Sequence, residues 1–226
     1  MNQIQKAFSK SSKSYQETSY IQREIAEYLI YKIKDRPHKI VDLGCGDGAV
    51  RKLIDWKIDK FLAVDFSKEM LNLHQTGEEI ELFQTDFDKE IVFEKISKEK
   101  YDILISSSAL QWSQNINKLF KNLENLKIPI YLAIFTDKTF NELHKYFGIT
   151  SPIISIKDIL KNSNAYKYEV IKKKIEFQKS IDILKYIKNS GVSGGKNRVS
   201  NRNIRKFIDS NRILSLTLEV IYLWKR

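Results

Sequence analysis

The segment IVDLGCGDGAV, residues 40–50, constrains the fold of this chain more than any other stretch. A short apolar run leads into Gly44, Gly46 and Gly48, and a second apolar-periodic stretch follows. That order reads as a buried strand, a tight turn and the start of a helix. Glycine at alternate positions lets the main chain take φ values closed to other residues, and lets a ligand approach the backbone closely. The spacing is G-x-G-x-G. It differs from the G-x-G-x-x-G of dinucleotide folds, and no G-K-[ST] follows as a phosphate-cradling loop requires. Asp47 inside the turn would repel a pyrophosphate, whereas a cationic ligand would tolerate it.

The rest of the chain alternates in the same sense. Helices are expected over 3–13 and 17–34, the second ended by Arg36-Pro37. Strands are expected at 38–44, 61–67, 80–87, 101–110 and 128–136, with helices at 47–55, 68–76 and 116–126 between them. The strands are continuously apolar rather than alternating, the pattern of a parallel sheet covered on both faces. Beyond about residue 137 helices are expected at 138–147, 155–162, 180–191 and 201–209. Strands are expected at 166–178 and 213–226, and a loop at 191–200. No low-complexity linker divides the chain, so one α/β domain is expected.

Composition narrows the function classes. With 226 residues and 42% apolar residues the chain can bury a large core without staples. One cysteine, Cys45, excludes a disulfide framework, and three scattered histidines make no metal cluster, so no metal is expected. No apolar run is long enough to span a membrane. The first residues lack the apolar core of a signal peptide, and a cytoplasmic protein is expected. The net charge of +11 suits an acidic partner, although a lysine-rich composition accounts for it equally well.

Two further acids fall where the strand ends would place them. Asp65 closes the second strand and Asp86 the third. A carboxylate at the first position can accept both hydroxyls of a ribose. One at the second can accept from an adenine amine, with Phe66, Met70 and Phe87 as apolar neighbours for the base. Any single strand-end aspartate is commonly a turn former. The ordered set on one sheet edge is more informative.

VDLGCGDG (41–48), AVDFSKEML (63–71), QTDF (84–87) and YDILISSSALQW (101–112) together resemble the class I S-adenosylmethionine-dependent methyltransferases. The resemblance implies a Rossmann-like α/β fold: a seven-stranded, mostly parallel sheet with helices on both faces and an antiparallel strand seven between strands five and six. It implies S-adenosylmethionine as cofactor, released as S-adenosylhomocysteine. It assigns the amino-acid end of the cofactor to Gly44 and Gly46, the ribose to Asp65 and the adenine to Asp86. Asp42 would orient the turn and the methionyl ammonium. Cys45 follows the family's usual G-C-G, as a packing residue rather than a nucleophile. Gln22 and Ser106 complete the implied cofactor-contacting set.

Segments outside these motifs resemble one family more closely, the malonyl-acyl carrier protein O-methyltransferases of biotin synthesis. They are AFSKSSKSYQETSYIQREIAEYL (7–29), SSSALQWSQNINKLFKNL (106–123), IFTDKTFNELHKYF (134–147), LKYIKNSGVSG (184–194) and TLEVIYLWKR (217–226). Phe8, Tyr15 and Gln22 occupy matching positions in the first. Ser11-Ser12 replaces the family's alanine pair, and the arginine region before 201–209 is rearranged. The resemblance implies methyl transfer to the free carboxylate of malonyl-acyl carrier protein, giving a methyl ester that enters fatty-acid synthesis toward pimeloyl and biotin. Another small carboxylic acid, or RNA, is the alternative acceptor. Tyr15, Gln111, Trp112 and Arg198 are the expected substrate-side residues, Arg198 as the candidate clamp on the carboxylate. A helical lid (1–36), a cofactor-binding core (37–136) and a substrate-side portion (137–226) are the expected parts.

Partners follow from charge. Residues 183–208 hold seven cations and no acid: Lys185, Lys188, Lys196, Arg198, Arg202, Arg205 and Lys206. Such a rim would steer an acidic carrier protein to the site and weaken with salt. No N/D-P-P-Y/F turn follows the fourth strand, so nucleic acid is not the expected partner. A monomer is expected.

Overall fold

The computed structural model describes residues 20–189 and 199–226. Helix α1 spans Tyr20–Lys32 and leads into strand β1 (Lys39–Leu43), the glycine turn and α2 (Ala49–Leu53). Next come β2 (Lys60–Asp65), α3 (Lys68–Leu71), β3 (Ile80–Gln84), α4 (Glu90–Glu99) and β4 (Ile103–Ser107). A single 3₁₀ turn, Leu110–Trp112, precedes α5 (Ile116–Asn125) and β5 (Ile130–Phe135). The remainder holds α6 (Asn141–Phe147), α7 (Ile156–Lys161), β6 (Lys167–Glu176), α8 (Ser180–Asn189), α9 (Asn201–Ser210) and β7 (Ser215–Lys225).

The strands form one seven-stranded sheet in the order β3-β2-β1-β4-β5-β7-β6. The pairs among β1 to β5 are parallel, while β7 runs antiparallel to both β5 and β6. This is the expected sheet, with strand seven seated between five and six. Reversal of strand order between β1 and β4 leaves a crevice at the carboxyl ends of those strands, where open α/β sheets bind ligands.

Period-two alternation sends neighbouring side chains to two separate cores. Ile40, Phe61, Ile105 and Ala133 pack on one face with α1, α2, α6, α8 and α9, through residues such as Ile25, Val50, Leu143, Ile183 and Phe207. Val41, Leu62, Leu104 and Leu132 pack on the other with α4, α5 and α7, through Phe93, Phe120 and Ile159. Leu119, Phe120 and Leu123 place one full stripe of α5 inside, each worth roughly 1.5–3 kcal/mol of apolar burial.

Four expectations need correction. The expected helix and strand limits at 47–55, 68–76 and 80–87 run past the ends of α2, α3 and β3. The fourth strand stops at Ser107 rather than reaching residue 110, because Ser108 takes a left-handed conformation (φ 59) that ends the pleat. Residues 88–100 carry no expectation from sequence, yet α4 occupies them, burying Val92, Phe93 and Ile96 at helical spacing beneath a polar exterior. The second core explains why so short an amphipathic stretch holds as a helix. The expected helix 3–13 lies outside the described residues, as does most of the loop 191–200. Among the described residues, no helix is long and apolar enough to cross a membrane.

Candidate functional site

A cleft opens at the carboxyl ends of β1, β2, β3 and β4. Its walls include Asp42, Gly44, Cys45 and Gly46 from β1 and the turn, and Asp65, Phe66 and Met70 from β2 and its exit. Asp86 and Phe87 enter from the β3 exit, Trp112 from the 3₁₀ turn and Gln22 from α1.

The glycine turn is held by its neighbours. Gly44 N and Cys45 N both donate to Val64 O, at 2.7 and 3.1 Å. Gly44 sits at φ +72, and a Cβ there would stand 2.2 Å from Ala109 Cβ, so the turn packs directly against the exit of β4. Beneath Gly48 (φ +83) lies the His74 ring, 2.8 Å from where a Cβ would be. Only glycine meets both demands, a left-handed backbone and no room for a side chain.

Asp65 is fixed from both sides. Gly46 N donates to Oδ2 at 3.0 Å and Ser67 N to Oδ1 at 2.8 Å. Each oxygen keeps a lone pair for a further donor, a geometry that suits a vicinal diol. Burial pushes its pKa up to about 6, partly offset by those two N–H groups, with Asp86 adding to the rise. Ser67 also caps α3 by accepting from Met70 N at 3.2 Å, which seats Met70 over the turn.

Asp42 is the most unusual group in the cleft. Its carboxylate is fully buried, and neither oxygen has a hydrogen-bond partner among the described residues. Burial, reinforced by Asp65, holds its pKa well above the carboxylate range. An unpartnered carboxylate in a low-dielectric site is costly unless a cation or donor meets it. An ammonium or sulfonium would do so. Asp47, beside it, is already paired with Lys52 at 3.0 Å. The residues present therefore fit a ligand with a positively charged end and a diol, the two ends of S-adenosylmethionine that the resemblance assigns to Asp42 and Asp65.

Cys45 is buried, and burial together with Asp65 and Asp42 drives its thiol pKa well up, which removes it as a nucleophile. Asp86 accepts from Asp88 N at 3.0 Å in a local turn. Asp88 then accepts from Ser113 Oγ and Gln114 N, both at 2.7 Å, and so ties the β3 exit to the β4 exit across the cleft mouth.

Two expected residues do not line the cleft. Ser106 is fully buried and donates to Leu43 O at 2.6 Å. It falls on the same face as Leu104, toward the second core. Gln111 is buried and turned back, its Nε2 donating to Ser108 O at 2.6 Å. Ser107, Ser108 and Gln114 line the cleft without having been singled out from sequence. The signal was available: the strand-end rule applied to Asp42, Asp65 and Asp86 applies equally to β4. Which of the two serines opens into the cleft is fixed only by the pairing of Asp42 with Ile105, from which period two selects Ser107 rather than Ser106. Tyr15 and Arg198 lie outside the described residues.

Residues 41–129 match the family model described as "Methyltransferase domain". The malonyl-[acyl-carrier protein] O-methyltransferase of Bacillus cereus is 30% identical over 64% of this chain, a match that takes in 56% of its own length. Malonyl-[acyl-carrier protein] O-methyltransferase 2 of Ilyobacter polytropus is 28% identical over 97% of this chain and 95% of its own. Among solved structures, the plantazolicin methyltransferase BpumL in complex with SAH shares the fold, with a TM-score of 0.53 and 15% identity over 99% of this chain and 96% of that one. Sheet order and these likenesses give the chain the fold of the class I S-adenosylmethionine-dependent methyltransferases, and its relatives in sequence carry the name malonyl-[acyl-carrier protein] O-methyltransferase.

Proposed function

We propose that this chain methylates the free carboxylate of a malonyl thioester carried by an acyl carrier protein, using S-adenosylmethionine. The observation that carries the reading is the unpartnered, buried Asp42 carboxylate beside the doubly anchored Asp65, a pair suited to a cationic nucleoside ligand. The acceptor class comes from the family resemblance and from the names of the curated relatives.

Bound S-adenosylmethionine supplies a methyl group on a positively charged sulfur. The chain's own residues have a modest task. A malonyl carboxylate is ionised at neutral pH, with an unperturbed pKa of about 4, so no general base is required. Asp42 and the glycine turn would orient the charged end of the cofactor, Asp65 its ribose and Asp86 its base. Phe66, Met70, Phe87 and Trp112 would exclude water from the reacting atoms. Rate enhancement would come from in-line positioning. By resemblance, Tyr15 belongs to a lid in 1–36 and Arg198 to a substrate-side portion in 137–226, where an arginine would hold the carboxylate bidentately.

Arg202, Arg205 and Lys206 are exposed on α9, and Lys185 and Lys188 on α8, cations that would suit an acidic carrier. Methyl transfer from labelled S-adenosylmethionine to malonyl-acyl carrier protein, recovered as a base-labile ester, tests the proposal. Calorimetric binding of S-adenosylhomocysteine without any transfer to malonyl thioesters would refute the acceptor. Transfer to RNA or to another small acid instead would replace it.

A further inference from the structure

The cleft is electrostatically two-sided. The exits of β1, β2 and β3 contribute Asp42, Asp47, Asp65 and Asp86 to its wall. The exit of β4 contributes Ser107, Ser108, Trp112 and Gln114, none of them charged. The two halves meet where the glycine turn touches Ala109. Ile105 is the register partner of Asp42. Ser107 follows Ile105 by one pleat repeat, roughly 7 Å further along the strand. Asp42 and Ser107 therefore open on the same sheet face into one cleft.

Ser107 Oγ and Ser108 Oγ are both buried, and neither has a hydrogen-bond partner among the described residues. Ser108 is also held in a costly conformation, φ 59, which a residue other than glycine seldom adopts. Its peptide is clamped there from both sides. Gln111 Nε2 donates to Ser108 O at 2.6 Å, and Ser108 N donates to Ala133 O at 2.8 Å. Both residues line the cleft with buried, unsatisfied hydroxyls, and the Ser108 backbone is held in a strained conformation by dedicated contacts, features that cluster at functional sites.

We infer that Ser107 and Ser108 form the subsite for the acceptor carboxylate, their hydroxyls donating to its oxygens. This rests on the carboxylate methylation proposed above. An anionic acceptor is repelled by the acidic half of the cleft and meets neutral donors in the other half. Sulfonium and carboxylate are thereby kept on opposite sides of the travelling methyl group. A carboxylate oxygen forms the new bond to the methyl carbon while the carbon–sulfur bond breaks, and the electron pair of that bond stays on sulfur. The acceptor loses its negative charge, the donor its positive charge, and no proton moves. The serines keep their protons throughout and hold the oxygen in line. Gln111 acts through Ser108 as a positioning residue.

Ser107→Ala and Ser108→Gly in the full chain remove one hydroxyl each, and glycine retains the left-handed backbone without strain. With malonyl-acyl carrier protein as acceptor, each variant should raise KM about tenfold or more, the effect of deleting a hydrogen bond to a charged group. The Kd for S-adenosylhomocysteine should stay within about twofold of wild type on the same reasoning, and Ser107→Thr, which keeps a hydroxyl, should recover most of the loss. Unchanged KM in both variants, alongside an active wild type, overturns the subsite alone. A matching loss of S-adenosylhomocysteine affinity also overturns it, because the hydroxyls would then serve the cofactor. A wild-type protein inactive on malonyl thioesters removes both this inference and the reading beneath it.

Discussion

Replacing Gly44 with alanine measures how closely the glycine turn is built against the β4 exit. Two costs add. At φ +72 an alanine occupies the left-handed region, which costs an L-residue about 1–2 kcal/mol. Its Cβ would also lie 2.2 Å from Ala109 Cβ, an overlap that forces a shift typically worth about 1–3 kcal/mol. The sum, about 2–5 kcal/mol, corresponds to a fall in Tm on the order of 10 °C for a chain of this size. Gly148→Ala is the matched control. Gly148 has φ +62, but nothing lies within 4 Å of where its Cβ would be, so only the conformational cost applies. Ala109→Gly should return part of the loss in a Gly44→Ala background, a coupling that a double-mutant cycle isolates. Thermal melting by circular dichroism gives the stabilities, and titration with S-adenosylhomocysteine gives the parallel loss of binding. If Gly44→Ala melts with Gly148→Ala, or Ala109→Gly recovers nothing, the turn is not packed as described.

Three other outcomes are expected. Because burial raises Asp65 from 3.8 to about 6, this group favours the folded state below pH 3.8 and loses that contribution as pH rises through about 6. A ligand held by its ionised form behaves oppositely. S-Adenosylhomocysteine affinity should fall below about pH 6, by up to roughly tenfold per unit, and calorimetry of Asp65→Asn should show weaker binding with that dependence gone. Asp88→Ala should free the Ser113–Gln114 segment and weaken S-adenosylhomocysteine binding several-fold, with Asp88→Asn intermediate because it keeps one acceptor oxygen. Unaltered titrations would dismiss the tether. Arg205→Glu with Lys206→Glu should raise KM for malonyl-acyl carrier protein and flatten its salt dependence, while KM for malonyl-pantetheine, which carries no phosphate, stays constant. Equal effects on both acceptors would argue against steering.

The sheet was legible in the sequence because its central strands are buried on both faces, so IVDLG, FLAVD and IYLAIF stand out as apolar runs. The glycine turn and the acids at strand ends were legible because backbone freedom and charge are properties of single residues. What stayed hidden depends on tertiary context. Helix α4 offers only Val92, Phe93 and Ile96 as anchors among charged residues, and it needs the second core to exist. Ser106 and Ser107 are chemically identical in sequence, and only the side of the sheet occupied by Asp42 decides which one faces the cleft. Gln111 looks like a substrate-side amide until Ser108 turns its carbonyl back toward it, a consequence of one dihedral angle that composition does not encode.

The seating of β7 has a consequence for how the molecule assembles. β6 has β7 as its pairing partner, and β7 bridges it to β5. The five parallel strands can zip together as soon as their helices are in place. Among the described residues β6 is joined to that block through Ser215–Lys225, so closure of the sheet rests on one segment that must find both β5 and β6. Damage to that segment would strand β6 and leave the parallel block standing.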